Sequence, residues 1–197
     1  MQIDTDLLIT WGASIKKFCR GKIIFMEGDE ARHYYQIISG EVRLFNTNLA
    51  GKEFTQGIFY SGNSFGEPPL FINEPYPATA IAVRETVIIK ISSGSFFRIM
   101  EEYPYLQKDL IKEFAQRIFN KSSSARDITN NPPELRILGL LHSLKKKATD
   151  EKRKLMVPFT RQEIANLTGL RVETVIRTLM KMKNMNKVDI IDHKLYY

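Results

Sequence analysis

The chain has 197 residues, 43% of them apolar, enough for one large domain or two modest ones that each bury a core. No apolar run approaches the roughly 18 residues that a membrane-spanning helix needs, and the single cysteine, Cys19, excludes an internal disulfide framework and any cluster held by several thiolates of one chain. The net charge of +7 is uneven: residues 1–127 carry 15 Lys+Arg and 15 Asp+Glu, whereas residues 128–197 carry 14 and 7. A neutral segment followed by a basic one is the electrostatic footprint of a nucleic-acid module attached to something else, although a solvated basic face has the same composition.

The opening stretch MQIDTDLLITWGAS has neither a basic n-region nor an apolar h-region, so the expected address is the cytoplasm. Cys19 is read as a plain small side chain rather than a reactive thiol. From Ile23 to about Ile91, short β-type runs (KIIF, YYQII, VRLF, EFTQGIFY, TAIAV, TVIIKI) alternate with Gly, Asn and Asp turn signals, the pattern of an all-β sandwich or barrel. From Tyr103 to Asp127 the punctuation stops, and Leu106, Leu110, Ile111, Phe114, Ile118 and Phe119 recur at helical spacing. That stripe either packs on the barrel or pairs with the same helix of a second chain. Asn130 to Glu134 (NNPPE) reads as a hinge, since paired prolines end one helix and open the next. A helix over 134–148, a charged loop over 149–154, a short strand over 155–159 and two strands around a tight turn at Asp192 and His193 complete the chain.

Between them lies RQEIANLTGLRVETVIRTL, which scans as an amphipathic helix interrupted by Gly169. Thr160 is a good N-cap and Glu163 completes a capping box, so a helix starts there. Ile164, Ala165 and Leu167 supply its buried face, and Gly169 falls where two crossing helices need a residue with positive φ. Val175, Leu179 and Met182 face inward on the second helix. Val172, Glu173, Ile176 and Arg177 share its outer face on two successive turns. Arginine can grip guanine O6 and N7, glutamate can accept from cytosine N4, and an aliphatic side chain can touch a thymine methyl, so these four are the candidate base readers. A surface ion pair between Glu173 and Arg177 is the alternative. Thr160, Arg161, Gln162, Arg171, Thr174, Lys181, Lys183, His193 and Lys194 are candidate phosphate contacts, which set register without reading sequence.

These residues resemble the Crp/Fnr family, the cyclic-AMP receptor and fumarate-nitrate-reduction regulators. FTRQEIANLTGLRVETVIRTL is similar to the family's DNA-binding domain; EGDEARHYYQIISGEVRLF, GKEF and GNSFGEPPLFINEPYPATAIAV are similar to its effector domain. The resemblance implies an α+β chain with an N-terminal β-roll, a cyclic-nucleotide-binding-like jelly roll, over 1–102. A dimerisation helix and hinge over 103–129 and a winged helix-turn-helix over 130–197 follow. It further implies a homodimeric, sequence-specific transcription regulator on double-stranded DNA with an inverted-repeat operator, with RNA polymerase as a partner. Leu106, Leu110, Phe114 and Ile118 become the dimer stripe. The recognition helix looks closer to the fumarate-nitrate pattern, Val-Glu-x-x-Ser-Arg, with Ile176 in place of the serine, implying a TTG-like half-site with altered preference where Ile176 sits. Arg171 stands where relatives place Ser or Thr as a helix cap.

In the effector cassette, Glu67 matches the family's ribose-binding glutamate, but Tyr76 and Pro77 stand where the phosphate-binding Arg-Ser pair would align. A buried phosphate without a cation is costly, which argues against cyclic AMP and leaves Arg84 as the only nearby guanidinium. The single cysteine excludes an iron-sulfur sensor. Haem stays open through His33, His142 or Met26, each read more simply as a surface or core residue; a cupin-type metal site would need more histidines than His33. Gly66, Glu67, Pro68, Tyr76, Pro77, Ala78 and Thr79 are the candidate pocket for an unidentified small molecule, or only shape the roll. The rival class is a ligand-binding or scaffolding module that touches nucleic acid non-specifically. Nothing in the sequence supports an enzyme.

Overall fold

The computed structural model describes residues 2–145 and 154–197, with the backbone alone described over 123–130. The chain divides into two compact units, 1–117 and 118–197.

The first unit is built on strands β1 (Ser14–Phe18), β2 (Ile23–Phe25), β3 (His33–Ser39), β4 (Glu41–Thr47), β5 (Glu53–Tyr60), β6 (Ser64–Phe65), β7 (Thr79–Ala82) and β8 (Thr86–Ser92). They form two four-stranded antiparallel sheets, ordered β1-β8-β3-β6 and β2-β7-β4-β5. Successive side chains on a strand face opposite ways, and the two cores follow from that alternation. Tyr35 and Ile37 of β3 and Ile88 of β8 point between the sheets with Phe25, Val42, Phe65, Tyr76 and Ala80. Tyr34, Ile89 and Ile91 point to the other side, where they meet Phe96, Ile99, Met100, Leu106 and Leu110. That layer comprises helices α1 (Thr5–Thr10), α3 (Ser93–Glu102) and the start of α4 (Pro104–Asn130), with the short α2 (Pro68–Ile72) supplying Leu70. Buried Gln36 ties the N-terminal segment down: its amide donates to the Ile3 carbonyl at 2.8 Å and its oxygen accepts from the Ile3 amide at 2.7 Å. The β3–β4 turn admits only Gly40, at φ +100°, because a Cβ there would lie 2.5 Å from Thr86 Oγ1.

Five elements were not expected from the sequence: β1, β6, α1, α2 and α3. β1 (SIKKF) is almost wholly exposed and pairs only with β8, so it lacks an apolar alternation. α1 begins at an Asp4 cap, and α3 at a Ser92 cap directly after β8. The long helix runs slightly further than expected, to Asn130.

The dimer stripe needs correction. Leu106 and Leu110 are 5% and 3% exposed inside the first unit's own core, and Phe114 packs against it. Among the described side chains of α4, the large apolar ones left exposed include Ile111 and Ile118, each 66% exposed, with Phe119 and, near the helix start, Tyr105. Helical periodicity carried two apolar stripes on one helix, and only packing separates them.

In the second unit, α5 (Pro133–Lys145), α6 (Arg161–Thr168) and α7 (Val172–Asn184) pack with the hairpin β9 (Asp189–Ile191) and β10 (Lys194–Tyr196). Ile137, Leu141, Ile164, Ala165, Val175, Leu179, Met182 and Leu195 form the core. The strand expected over 155–159 shortens to a single bridge, Met156 to Tyr196, flanked by backbone hydrogen bonds between Leu155 and Tyr197 and from Val157 to Leu195. Pro158 lacks the N–H that would extend the ladder. The charged loop lies outside the described residues except for Lys154.

Candidate nucleic-acid interface

Helix α6 starts as a complete capping box: the Glu163 amide donates to Thr160 Oγ1 at 3.2 Å and the Thr160 amide to Glu163 Oε2 at 2.7 Å. It buries Ile164, Ala165, Asn166 and Thr168, whereas Leu167, expected inside, is half-buried. Gly169 ends the helix at φ +68°, its amide bonding the Ala165 carbonyl, and the chain turns directly into α7.

Val175, Leu179 and Met182 of α7 are fully buried against α5 and α6. The helix repeat of about 100° per residue then fixes the outward direction, and Glu173 and Arg177 lie close to it. Both are exposed and form no ion pair with each other or with any other described residue. Ile176 is 49% exposed on the flank of the same face. Val172 is different: it is half-buried and packs on the core, so most of its side chain is spent inside the unit. Sequence reading missed Met180, which is 48% exposed one turn beyond Ile176 on the outward side. Its apolar type matched Met182 and gave no signal of its own.

The candidate phosphate contacts fall into two groups. Thr160, Gln162, Arg171, Lys183, His193 and Lys194 are exposed, and Thr174 is half-exposed. The Gln162 amide donates to Asn166 Oδ1 at 3.0 Å. His193 and Asp192 hold φ of +62° and +47°, two successive left-handed residues that make the tight turn of the wing. Arg161 is part-buried, which lowers its pKa, and its Nη2 donates to the His193 carbonyl at 3.5 Å, tying the wing to the start of α6. Lys181 is exposed, and its Nζ lies 3.9 Å from Glu134 Oε2 on α5. Lys187 donates to the same carboxylate at 2.6 Å, and that bond holds Glu134 below the usual carboxylate range. Lys187 is thus the close partner of Glu134, with Lys181 at the edge of ion-pair distance.

Arg171 occupies the N-cap of α7 at φ −82°, ψ 148° and makes no side-chain cap hydrogen bond. A guanidinium at the positive end of a helix dipole is unfavourable unless an anion faces it. Arg171→Ser is therefore expected to raise stability by about 0.5–2 kcal/mol through a new cap while weakening DNA binding. Thermal melts paired with binding titrations check it, and a fall in both would refute the idea.

In the first unit the cassette residues differ in burial. Gly66, Glu67, Tyr76 and Ala78 are buried, Thr79 is half-buried, and Pro68 and Pro77 are exposed. The Tyr76 ring stacks on Phe25 at 3.7 Å between centroids, with Tyr35 and Phe65 beyond, and its hydroxyl donates to the His33 carbonyl at 3.3 Å. Burial pushes the Tyr76 and Tyr35 phenols up, so both stay neutral. Glu67 is fully buried and already has a cation: Arg117 of α4 places Nη1 3.2 Å from Oε2. Arg117 also donates through Nη2 to the Ser64 carbonyl at 2.8 Å and through Nε to Glu113 Oε1 at 3.1 Å, with its guanidinium over the Phe59 ring. Arg84 is paired with Glu41, which corrects its candidacy as a phosphate anchor. His33 is half-buried in β3; burial, with Lys90, Lys16 and Arg32 nearby, holds its pKa below the ordinary imidazole value. His142 sits in the other unit beside the Tyr197 ring, and Met26 is exposed. Among the described residues no group of three or more His, Cys, Asp or Glu could hold a metal ion, and no helix is long and apolar enough to cross a membrane.

A capped helix, a left-handed turn, an exposed second helix and a wing, in a segment holding the whole net charge, define a winged helix-turn-helix joined to a β-roll. The comparisons agree in both halves. Residues 15–103 match the cyclic nucleotide-binding domain family and residues 135–195 the Crp-like helix-turn-helix domain family. The chain is 28% identical over 160 residues to the cyclic AMP receptor protein of Thermus thermophilus, covering 81% of this chain and 72% of that one. It is 26% identical over 180 residues to the nitrogen fixation regulation protein FixK of Bradyrhizobium diazoefficiens, covering 88% and 73%. The global regulator CLP of Xanthomonas campestris, described as c-di-GMP responsive, superposes with a TM-score of 0.84 at 21% identity, over 97% of this chain and 96% of that one, which speaks for the fold. The chain belongs to the Crp/Fnr family of transcription regulators.

Proposed function

We propose that the chain acts in the cytoplasm as a homodimer on an inverted-repeat operator, with α7 as the recognition helix and Glu173 and Arg177 as its principal base readers. The observation that carries this reading is the outward face of α7: two charged side chains, exposed and without an ion pair among the described residues, stand on a unit that holds all of the chain's excess positive charge. Two such helices on one two-fold axis would meet successive major grooves about 34 Å apart. In functional terms the chain divides into the β-roll over 1–102, the dimer helix and hinge over 103–129 and the DNA-binding module over 130–197. Contact with RNA polymerase and response to a small molecule would accompany this role. The cassette geometry speaks against a cyclic nucleotide as that molecule, because Tyr76 is packed into the roll as an uncharged ring and Glu67 is satisfied by Arg117.

A genome-fragment binding selection, with a large excess of random DNA as competitor, tests the reading; recovery of inverted repeats supports it, and recovery of no common motif refutes it. The dimer has its own check. Ile111 and Ile118 lie two turns apart on one face of α4, and pairing with a second copy would cover them. Ile111→Glu is expected to cost the dimer several kcal/mol by setting two carboxylates face to face. Sedimentation should then show monomer. A variant that stays dimeric would move the interface elsewhere.

A further inference from the structure

The outward face of α7 is not uniformly polar. Ile176 and Met180, 49% and 48% exposed, stand one turn apart beside Glu173 and Arg177. By helix geometry Met180 lies within about 20° of the Glu173 direction and about 6 Å further along the axis than Ile176, a rise of one to two base-pair steps. A scattered surface apolar residue needs no explanation. Two contiguous ones on the face that would enter a groove form a ridge, and the group that suits it there is apolar. Placing either against a phosphate or a base's hydrogen-bonding edge would strip that group of water and return no hydrogen bond. The major groove offers one apolar group, the 5-methyl of thymine. Isoleucine presents a stiff β-branched surface, whereas the three rotatable bonds and polarisable sulfur of methionine adapt to the second position.

We propose that Met180 is a specificity-determining residue, and that with Ile176 it reads the 5-methyl groups of two thymines in each half-site, alongside the base contacts of Glu173 and Arg177. This rests on the assignment of α7 as the recognition helix.

The test uses the full-length protein and an operator recovered by the selection. Each thymine of one half-site is replaced in turn by deoxyuridine, which removes the methyl group and leaves every hydrogen-bonding group in place. Affinities are measured by fluorescence anisotropy at one salt concentration for the natural chain, Ile176→Ala and Met180→Ala. Two positions should lose about fourfold in affinity for the natural chain, equivalent to the ~0.8 kcal/mol of one buried methylene-sized group. The loss at one position should vanish in Ile176→Ala and at the other in Met180→Ala, both variants keeping the natural far-ultraviolet circular dichroism. Deoxyuridine tolerated at every position, or losses that persist in both alanine variants, overturns this inference and leaves α7 as the recognition helix. Recovery of no specific site overturns both.

Discussion

Replacing Arg177 with Ala is expected to remove most of the affinity for the operator while leaving the fold intact. A bidentate arginine–guanine contact contributes about 1–3 kcal/mol of discrimination, and a symmetric dimer makes it twice. The expected loss is therefore ~2–6 kcal/mol, on the order of 30-fold to 10⁴-fold, if the two half-sites contribute independently. Because Arg177 is exposed and forms no ion pair among the described residues, the melting temperature should barely move. The diagnostic measurement is a comparison of two DNAs. Against the operator the variant should lose affinity steeply, and against an operator with the contacted guanine changed it should lose little, because the natural chain already lacks that contact there. An equal loss on both would make Arg177 a phosphate contact and transfer base reading to Glu173.

Much of this interface was legible in the sequence because its signals are local. A capping box at Thr160 and Glu163, a glycine nine residues after the cap and apolar residues at helical spacing each constrain a few neighbouring residues, and all appear where expected except Leu167, which is half-buried. What was not legible depends on partners distant in sequence. Lys181 looked like any basic residue on a recognition helix until α5 brought Glu134 beside it. Val172 looked like a reader until the core claimed it. Leu110 and Ile111 differ by one helical step, yet one is buried in the β-roll unit and the other is exposed. Strand β1, with two adjacent lysines, is held by pairing with β8 some seventy residues later rather than by a pattern of its own. In the cassette the sequence revealed that Tyr76 and Pro77 supply no cation for a phosphate. It could not reveal that Arg117, fifty residues beyond Glu67, already neutralises that glutamate.

That pair sets up the largest expected effect on stability. Glu67 is fully buried and Arg117 mostly so, and the guanidinium satisfies the Glu67 carboxylate and the Ser64 carbonyl together. Arg117→Ala leaves the carboxylate in the interior without its cation, a change that costs about 3–5 kcal/mol when one partner of a buried ion pair is removed. Trp11, the only tryptophan, packs against the helix-side core of the same unit, so its fluorescence reports unfolding of the β-roll independently of the DNA-binding module. The denaturation midpoint followed at Trp11 should fall sharply in Arg117→Ala. Adding Glu67→Gln should recover a large part of the loss, since the remaining amide carries no charge to strand. Arg117→Lys should fall between, because one ammonium cannot match the planar fork that spans Glu67, Ser64 and Glu113. A loss below about 1 kcal/mol in Arg117→Ala would place the pair among surface-like bridges. A further loss on adding Glu67→Gln would mean that Glu67 stabilises the roll through some group other than Arg117. The expected result adds one guanidinium to the apolar contacts of Leu106, Leu110 and Phe114 that hold the helix carrying Ile111 on the β-roll, so that anything competing for Glu67 would have to displace Arg117 first.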